Sequence, residues 1–592
     1  MNDINALYKL WSEKATADAD LVEELKSING NEDEILDRFY KSLEFGTAGL
    51  RGVIGAGTNR MNVYTVNQAT QGLADYLNSE FENPSVAIAY DSRIKSDVFA
   101  RSAASVLAGN GIKVYIYPEL VPTPMLSYAV RYYKCSSGII ITASHNPAKY
   151  NGYKCYDPNG YQMTDEAAAK TYDFIQNVDM FSGAKLADFD KALADGTIEY
   201  ISNDVVESFY NEVLKARVNP EVCEKADLSV IYSPLNGTGN KHVRAILDRI
   251  GIKDVRVVKE QELPDGNFPT CPFPNPEIKQ VFECGIEMTK ERKADLLLAT
   301  DPDCDRVGIA VLDNGEYKLM TGNEVGIMLT EYILSSLKEQ GKLPKNPIVV
   351  KTIVTSHLVS VIASKYGAET ADLLTGFKYI GELVTKLEKK NETDRFILGM
   401  EESYGYLRGA HARDKDAVVA SMLICEMAAY YKSKGISLYN QMQNIYKEYG
   451  MFLNTLLNFG FEGAAGMQKM SDMMTELRNN PPKTIADREV VEVSDYKLST
   501  RTDTKSGAVE EIKLPKSNVL AYKLPSGSGV IVRPSGTEPK IKIYITAVAS
   551  DRASAEAFTN EISCDMEKIM GDRKSTRLNS SHSDRSRMPS SA

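Results

Sequence analysis

The chain has 592 residues, 43% hydrophobic and 25% charged. That composition is ordinary for globular domains, and the length is too great for one core, predicting about four domains. The formal net charge of −11, with no basic block to offset it, excludes nucleic acid as a partner, so any anionic ligand must be held by a few concentrated cations and backbone N–H donors.

Met1 to Lys14 is charged and amphipathic without an apolar core, so no secretory signal is expected. Phe45 to Gly52 (FGTAGLRG) is a glycine-rich loop with one cation, Arg51. Either Arg51 reaches a phosphate or the glycines serve a tight turn; the nucleotide-binding pattern G-x-x-x-x-G-K-[ST] is not formed. Val86 to Tyr90 reads as a buried strand, followed by a helix that Ser96 caps and that ends near Gly111. Val114 to Tyr117 is strand again, a helix follows from about Pro124, and Gly138 to Thr142 is a third strand. The rhythm returns at Leu228 to Tyr232, Leu296 to Ala299, Ile348 to Val354 and Phe396 to Leu398, which argues for α/β units with mainly parallel sheets. No apolar run reaches the ~20 residues that span a bilayer; the richest, Val418 to Tyr431, is too short and contains Glu426.

The chemically suggestive segments lie just past strand ends, where open α/β sheets bind ligands. Thr142 to Pro147 (TASHNP) puts Ser144 on an accessible turn beside His145, and Lys154 can return to the same cleft. The alternative is an ordinary turn closed by Asn-Pro. Asp301 to Arg306 (DPDCDR) sets carboxylates at Asp301, Asp303 and Asp305, which converge when the backbone curls and suit Mg²⁺. An EF-hand is rejected because its Gly and Glu positions hold Arg306 and Leu312. Gly399 to Gly405 (GMEESYG) offers Glu401 and Ser403 to sugar hydroxyls.

The last block reads as a smaller α+β domain, with strands at Val519 to Lys523, Val530 to Val532 and Ile541 to Ile545 and a helix from Ala553 to Met570. Between its last two strands, Arg533 to Lys540 (RPSGTEPK) is either a hairpin turn or an anion site in which Arg533 supplies a fork, Ser535 and Thr537 hydroxyls, and Gly536 close backbone approach. The Ser/Arg-rich segment 574–592 lacks hydrophobic periodicity and is expected to be a disordered, non-native tail. Eight scattered cysteines without paired spacing predict reduced thiols in a cytoplasmic protein. His242, His357, His411 and His582 have no ligand spacing. Domain boundaries are expected near residues 205, 315 and 455, giving units 1–205, 206–315, 316–455 and 456–573.

Taken in order, TASHNP, DPDCDR, the MEESYG loop and RPSGTEPK resemble the α-D-phosphohexomutase family over about Glu44 to Gly571. The FGTAGLRG start resembles its phosphoglucomutase/phosphopentomutase branch. The resemblance implies three similar mixed-sheet α/β domains plus a smaller C-terminal α+β domain around a central cleft. It implies Ser144 as a phosphoserine, and Mg²⁺ held by Asp301, Asp303, Asp305 and a phosphoserine oxygen. Lys154 becomes the acid/base candidate, and Glu401 and Ser403 the sugar ligands. Arg533, Ser535, Gly536 and Thr537 would grip the non-reacting phosphate, with Arg51, His145, Arg306 and Lys378 in support. The implied reaction is interconversion of glucose 1-phosphate and glucose 6-phosphate, with a sugar 1,6-bisphosphate as intermediate and activator. Pentose or mannose phosphates are alternative substrates. A bisphosphate synthase, a phosphatase or a non-catalytic sugar-phosphate sensor are alternative roles, the last disfavoured by an intact Ser144 and three aspartates.

Overall fold

Three successive stretches of the chain each build a sheet with a parallel centre, because buried apolar strands alternate with helices long enough to cross back over them. The structure, a computed structural model, describes residues 2–46, 49–461, 466–535 and 540–571. The proposed tail at 574–592 lies outside the described residues.

The first sheet comprises β1 (Gly49–Val53), β2 (Ser85–Tyr90), β3 (Lys113–Ile116), β4 (Ser137–Ile141), β5 (Tyr150–Tyr156) and β6 (Ile198–Tyr200), in the order β1-β5-β4-β2-β3-β6. Strands β4, β2, β3 and β6 are parallel, whereas β5 returns antiparallel to β4 and β1 antiparallel to β5. The second sheet, in the order β11-β10-β9-β7-β8, comprises β7 (Ser229–Ser233), β8 (Asp254–Val257), β9 (Leu296–Thr300), β10 (Val307–Asp313) and β11 (Glu316–Met320). The third, in the order β13-β12-β14-β15, comprises β12 (Ile348–Thr352), β13 (Glu369–Leu373), β14 (Phe396–Glu401) and β15 (Gly405–Leu407). All three share one device. A buried strand of the parallel centre (β4, β9 or β14) ends in a short loop and turns back as an antiparallel neighbour (β5, β10 or β15). The sheets are therefore mixed rather than mainly parallel.

The fourth unit is antiparallel. Among the described residues its sheet runs β16-β24-β23-β22-β19-β20-β21, made of β16 (Met451–Gly460), β19 (Glu492–Asp495), β20 (Thr500–Asp503), β21 (Val509–Glu511), β22 (Leu520–Lys523), β23 (Gly529–Pro534) and β24 (Lys540–Ala549). A small separate hairpin joins β17 (Thr484–Ile485) to β18 (Arg488–Glu489). Helix Arg552–Ile569 buries Ile562 and Met566 in the core of this unit, and helix Gly466–Asn479 adds Met470, Met474 and Leu477.

Strand β11 pairs with β10 at the edge of the second sheet, and β16 pairs with β24 of the fourth. Two further expectations are corrected. Ser96 does not cap its helix. Lys95 holds the N-cap position at φ 65°, and the Ser96 hydroxyl instead donates to Asp91 at 2.8 Å. Strand β14 continues through Glu401, so the MEES segment starts inside the strand. The N-terminus adds helices α1 (Asn2–Lys14), α2 (Ala19–Ser27) and α3 (Glu32–Phe39), gathered on Trp11, which is 0% exposed and packs edge-on against Phe39, Tyr64 and Phe181 at 5.3–5.9 Å.

No helix among the described residues is long and apolar enough to cross a membrane. The apolar run from Val418 lies in helix Ala417–Ser433, buried along nearly its whole length between the sheets, and its Glu426 has a specific task. The Glu426 carboxylate, wholly buried, accepts from Val218 N–H (2.7 Å), Asn219 N–H (3.0 Å) and Tyr332 O–H (3.0 Å) and pairs with Arg217 at 3.2 Å. It thereby fastens the connection between the first two units to the third. Glu426→Ala should cost about 3–5 kcal/mol of stability, because it strands those donors and the Arg217 charge. Glu426→Gln, which keeps one acceptor, should cost less. Urea denaturation of the two variants checks this; equal, small losses would show that the carboxylate is dispensable.

Candidate active site

The loop after β4 is built to present one hydroxyl. Thr142 Oγ1 accepts from the Ser144 N–H at 2.8 Å, and Ser144 takes φ 51°, a left-handed conformation uncommon for a residue with a Cβ. A buried guanidinium holds it there. Arg93 donates from Nη2 to the carbonyls of Ser144 (2.6 Å) and Asn146, and from Nη1 to those of Pro147 (3.0 Å) and Tyr150 (2.9 Å). Asp91 pairs with Arg93 Nε at 3.4 Å, both side chains having no exposure, and the Phe268 ring faces the guanidinium carbon at 5.1 Å. Only a planar, multi-donor cation can bond four carbonyls of one loop in this way. The Ser144 hydroxyl donates to Asp301 Oδ2 at 2.8 Å and lies 3.2 Å from His145 Nδ1. Burial, then the charges of Arg306 and Arg51, push His145 well below the ordinary imidazole range, so its ring is neutral.

Opposite Ser144, the loop after β9 curls through Cys304 at φ 50°. Asp301 Oδ1 accepts from the N–H groups of Asp305 (3.1 Å) and Arg306 (2.9 Å). Asp303 Oδ2 accepts from Thr123 Oγ1 (3.0 Å) and Lys154 Nζ (3.2 Å), and Asp305 pairs with Lys415 at 3.1 Å. Oxygens of the three carboxylates lie within 4.8 Å of one another, all buried. Burial and the neighbouring carboxylates push Asp301 and Asp305 up, whereas Lys154 holds Asp303 low against its own burial. Asp303 Oδ1 and Asp305 Oδ1 have no hydrogen-bond donor. Unpartnered, buried, hard oxygens that converge this closely fit a divalent cation, which would relieve the repulsion raising Asp301 and Asp305.

The remaining predicted residues surround these two loops unevenly. Glu401, buried at the end of β14, accepts from Gly376 N–H at 2.8 Å; burial raises its pKa, opposed by Lys415. Ser403 is half-buried in the turn to β15. Arg306 pairs with Glu277 at 3.2 Å. Arg51, exposed on β1, is in register with Gly152 of β5. Lys378 pairs with Asp165 of the first unit at 2.6 Å, bridging two units. Arg533, next to last in β23, is in register with Lys542, and its charge is felt at Tyr379, Lys542 and Tyr544. Ser535 N–H donates to Lys540 O at 2.8 Å. Gly536 and Thr537 lie outside the described residues.

Sequence reasoning missed four contributors: Arg93 and its partner Asp91, Thr123 and Lys415. A signal existed for the first two, since Asp91-Ser92-Arg93 also sits just past a buried strand. Lys415, between Asp414 and Asp416, is a buried charged triplet that only tertiary contact explains.

The chain matches in order the four domains of the phosphoglucomutase/phosphomannomutase family: alpha/beta/alpha domains I, II and III over residues 42–181, 207–315 and 321–449, and the C-terminal domain over 485–562. A phosphoglucomutase of Staphylococcus saprophyticus is 37% identical over 509 residues, covering 86% of this chain and 91% of that protein. One from Staphylococcus aureus is 33% identical over 551 residues, covering 91% and 95%. Among solved structures, the exocytosis-sensitive phosphoprotein parafusin of Paramecium, a phosphoglucomutase in its open form, has a TM-score of 0.67 at 17% identity, covering 90% of this chain and 98% of its own. A phosphoglucomutase/phosphomannomutase family protein of Burkholderia thailandensis has a TM-score of 0.64 at 17% identity with the same coverage. The chain belongs to the phosphoglucomutase/phosphomannomutase family and is an intramolecular phosphotransferase, a mutase.

Arg93→Lys should lower mutase turnover by at least about 100-fold, since one ammonium cannot replace four directed bonds and the Ser144 loop would shift. Turnover and near-ultraviolet circular dichroism, measured together, check this. Turnover within about 3-fold of wild type, a barrier change under 1 kcal/mol, would show that the loop holds itself.

Proposed function

We propose that this mutase interconverts glucose 1-phosphate and glucose 6-phosphate by way of a phosphate carried on Ser144. The observation that carries the reading is the 2.8 Å contact from Ser144 Oγ to Asp301 Oδ2, which sets a turn hydroxyl, only 5% exposed rather than openly accessible, against a buried three-carboxylate cluster. The choice of glucose is supported by relatives named phosphoglucomutase that align over most of their length.

Asp301, Asp303, Asp305 and a phosphate oxygen on Ser144 would hold Mg²⁺, which when bound neutralises charge on the phosphoryl oxygens. The chain's own residues do the positioning on which phosphoryl transfer depends. Arg93 fixes the carrier loop, while Glu401 and Ser403 accept hydrogen bonds from sugar hydroxyls. Arg533, Ser535, Gly536 and Thr537 grip the phosphate that is not reacting. Arg51, His145, Arg306 and Lys378 line the path of the sugar phosphate. In the first half-reaction the bond from phosphorus to Ser144 Oγ breaks and a bond to the free sugar hydroxyl forms. That hydroxyl's proton ends on Ser144 Oγ, with Lys154 as the relay. The product is glucose 1,6-bisphosphate, which turns end for end and returns its other phosphate to Ser144; added bisphosphate therefore acts as activator. The eight free cysteines, six of them 0–2% exposed and one on the surface, support a reducing, cytoplasmic setting.

Ser144→Ala should abolish turnover with the fold intact, because no other group stands in the carrier position. Exhaustive chelation should remove activity and Mg²⁺ restore it, and Asp303→Asn should raise the Mg²⁺ concentration needed. Intact mass, turnover with glucose, mannose and ribose 1-phosphates, and metal titration test these points together. Turnover by Ser144→Ala would end the phosphoserine reading, and a preference for mannose or ribose 1-phosphate would end the glucose assignment.

A further inference from the structure

Helices α1 to α3 precede the first family domain, which begins at residue 42, yet they reach towards the loop that carries Ser144 by two separate routes. On one route, Glu24 of α2 pairs with Arg38 of α3 and accepts from Ala56 N–H at 2.6 Å. Ala56 lies in the loop after β1, and two residues earlier Ile54 N–H donates to Lys149 O at 2.9 Å, at the far end of the Ser144 loop. The loop is shaped for this approach. A Cβ on Gly55 would come within 2.7 Å of the Glu24 carboxylate, and one on Gly57 within 2.7 Å of the Arg38 carbonyl, and both glycines have positive φ. On the other route, Asp18 and Asp20 take the Lys95 ammonium at 3.0 and 2.6 Å. Lys95, itself left-handed, is two residues from Arg93, the guanidinium that bonds the carbonyls of Ser144, Asn146, Pro147 and Tyr150. Asn151, just after that loop, donates to Ile94 O and Ser96 Oγ on either side of Lys95.

We infer that the N-terminal helices are a positioning element for phosphoryl transfer, acting through two struts, Glu24 to the Gly55–Gly57 loop and Asp18 to Lys95, that fix the two ends of the Ser144 loop. The inference rests on the reading of Ser144 as phosphate carrier. Glu24 and Lys95 are positioning residues with no contact to the reacting atoms. Partly exposed ion pairs such as these contribute little to global stability, but a shift of about 1 Å at a reacting group can cost up to about 100-fold in rate. The struts thus matter chiefly for kcat.

The test compares Glu24→Ala, Lys95→Met and Lys95→Arg with Lys225→Ala, which removes an exposed ion pair on a remote helix. Expected are a kcat lowered between about 5-fold and about 100-fold in Glu24→Ala and Lys95→Met, with KM little changed, wild-type behaviour in Lys225→Ala, and recovery in Lys95→Arg, which keeps the cation. Emission from Trp11, the only tryptophan, should stay at its buried wavelength, since no change touches its ring cluster. Should Glu24→Ala fail to fold, the Lys95 pair decides alone. An unchanged kcat in Lys95→Met, or a fall that Lys95→Arg shares in full, overturns the inference. Intact mass after incubation with glucose 1,6-bisphosphate separates the two levels. A wild type that takes no phosphate on Ser144 removes the carrier reading and the inference with it, whereas phosphate on Ser144 with unaffected kcat removes only the struts.

Discussion

Three carboxylates, all buried and within 4.8 Å of one another, cannot stay charged unless something compensates them. The protein supplies part of that compensation from three different units. Lys154 comes from β5 of the first sheet, Arg306 from the aspartate loop itself, and Lys415 from the segment after β15 of the third. Hydrogen bonds follow the same lines, with Thr123 of the first unit on Asp303 and Ala417 N–H of the third on the Cys304 carbonyl. The need to neutralise one loop therefore dictates how three α/β units meet. The two oxygens left without a hydrogen-bond donor, Asp303 Oδ1 and Asp305 Oδ1, are the place a divalent cation fits.

That arrangement explains which parts of the site were legible. Strand ends in α/β sheets are marked by an apolar run that stops abruptly, so TASHNP and DPDCDR stood out as soon as Ser137–Ile141 and Leu296–Thr300 were read as buried strands. The same rule pointed at Asp91 and Arg93, but an Asp-x-Arg reads as an ordinary polar turn until the four carbonyls it serves are seen. Lys415 and Thr123 act on residues more than a hundred positions away, and pairings at that range leave no local pattern. Sheet membership of the edge strands is hidden for a related reason. Glu316–Met320 and Met451–Gly460 belong to sheets through backbone hydrogen bonds, and composition carries no trace of which neighbour a short strand will choose.

The fourth unit stands apart from this logic. Among the described residues its antiparallel sheet gives nothing to the carboxylate cluster, and Arg533 stands near the end of β23, where its field reaches Tyr379 of the third unit. A group that holds the non-reacting phosphate has no need to share the rigid frame of the group that transfers the other. The proposed division of labour, with Ser144 and the carboxylates on α/β strand ends and Arg533 on a separate antiparallel sheet, is compatible with that independence.

The three α/β loops also share a conformational cost. Each carries a residue with a side chain in the left-handed region: Ser144 at φ 51°, Cys304 at φ 50° and Tyr404 at φ 67°. Such positions cost of order 1–3 kcal/mol and persist only where the surroundings over-determine them. Here the surroundings are identifiable. Arg93 grips the Ser144 carbonyl, Cys304 N–H closes on Asp301 O at 2.9 Å, and the Tyr404 carbonyl accepts from Val307 N–H at 3.1 Å. The last bond ties the third loop to the strand that leaves the second, and Ser144 Oγ ties the first to Asp301. Each strained turn is thus steadied by its own clamp and by the loop it faces. It follows that the geometry of Ser144 depends on all three units being docked, and a change at one loop should be felt at the other two before it is felt in the sheets behind them.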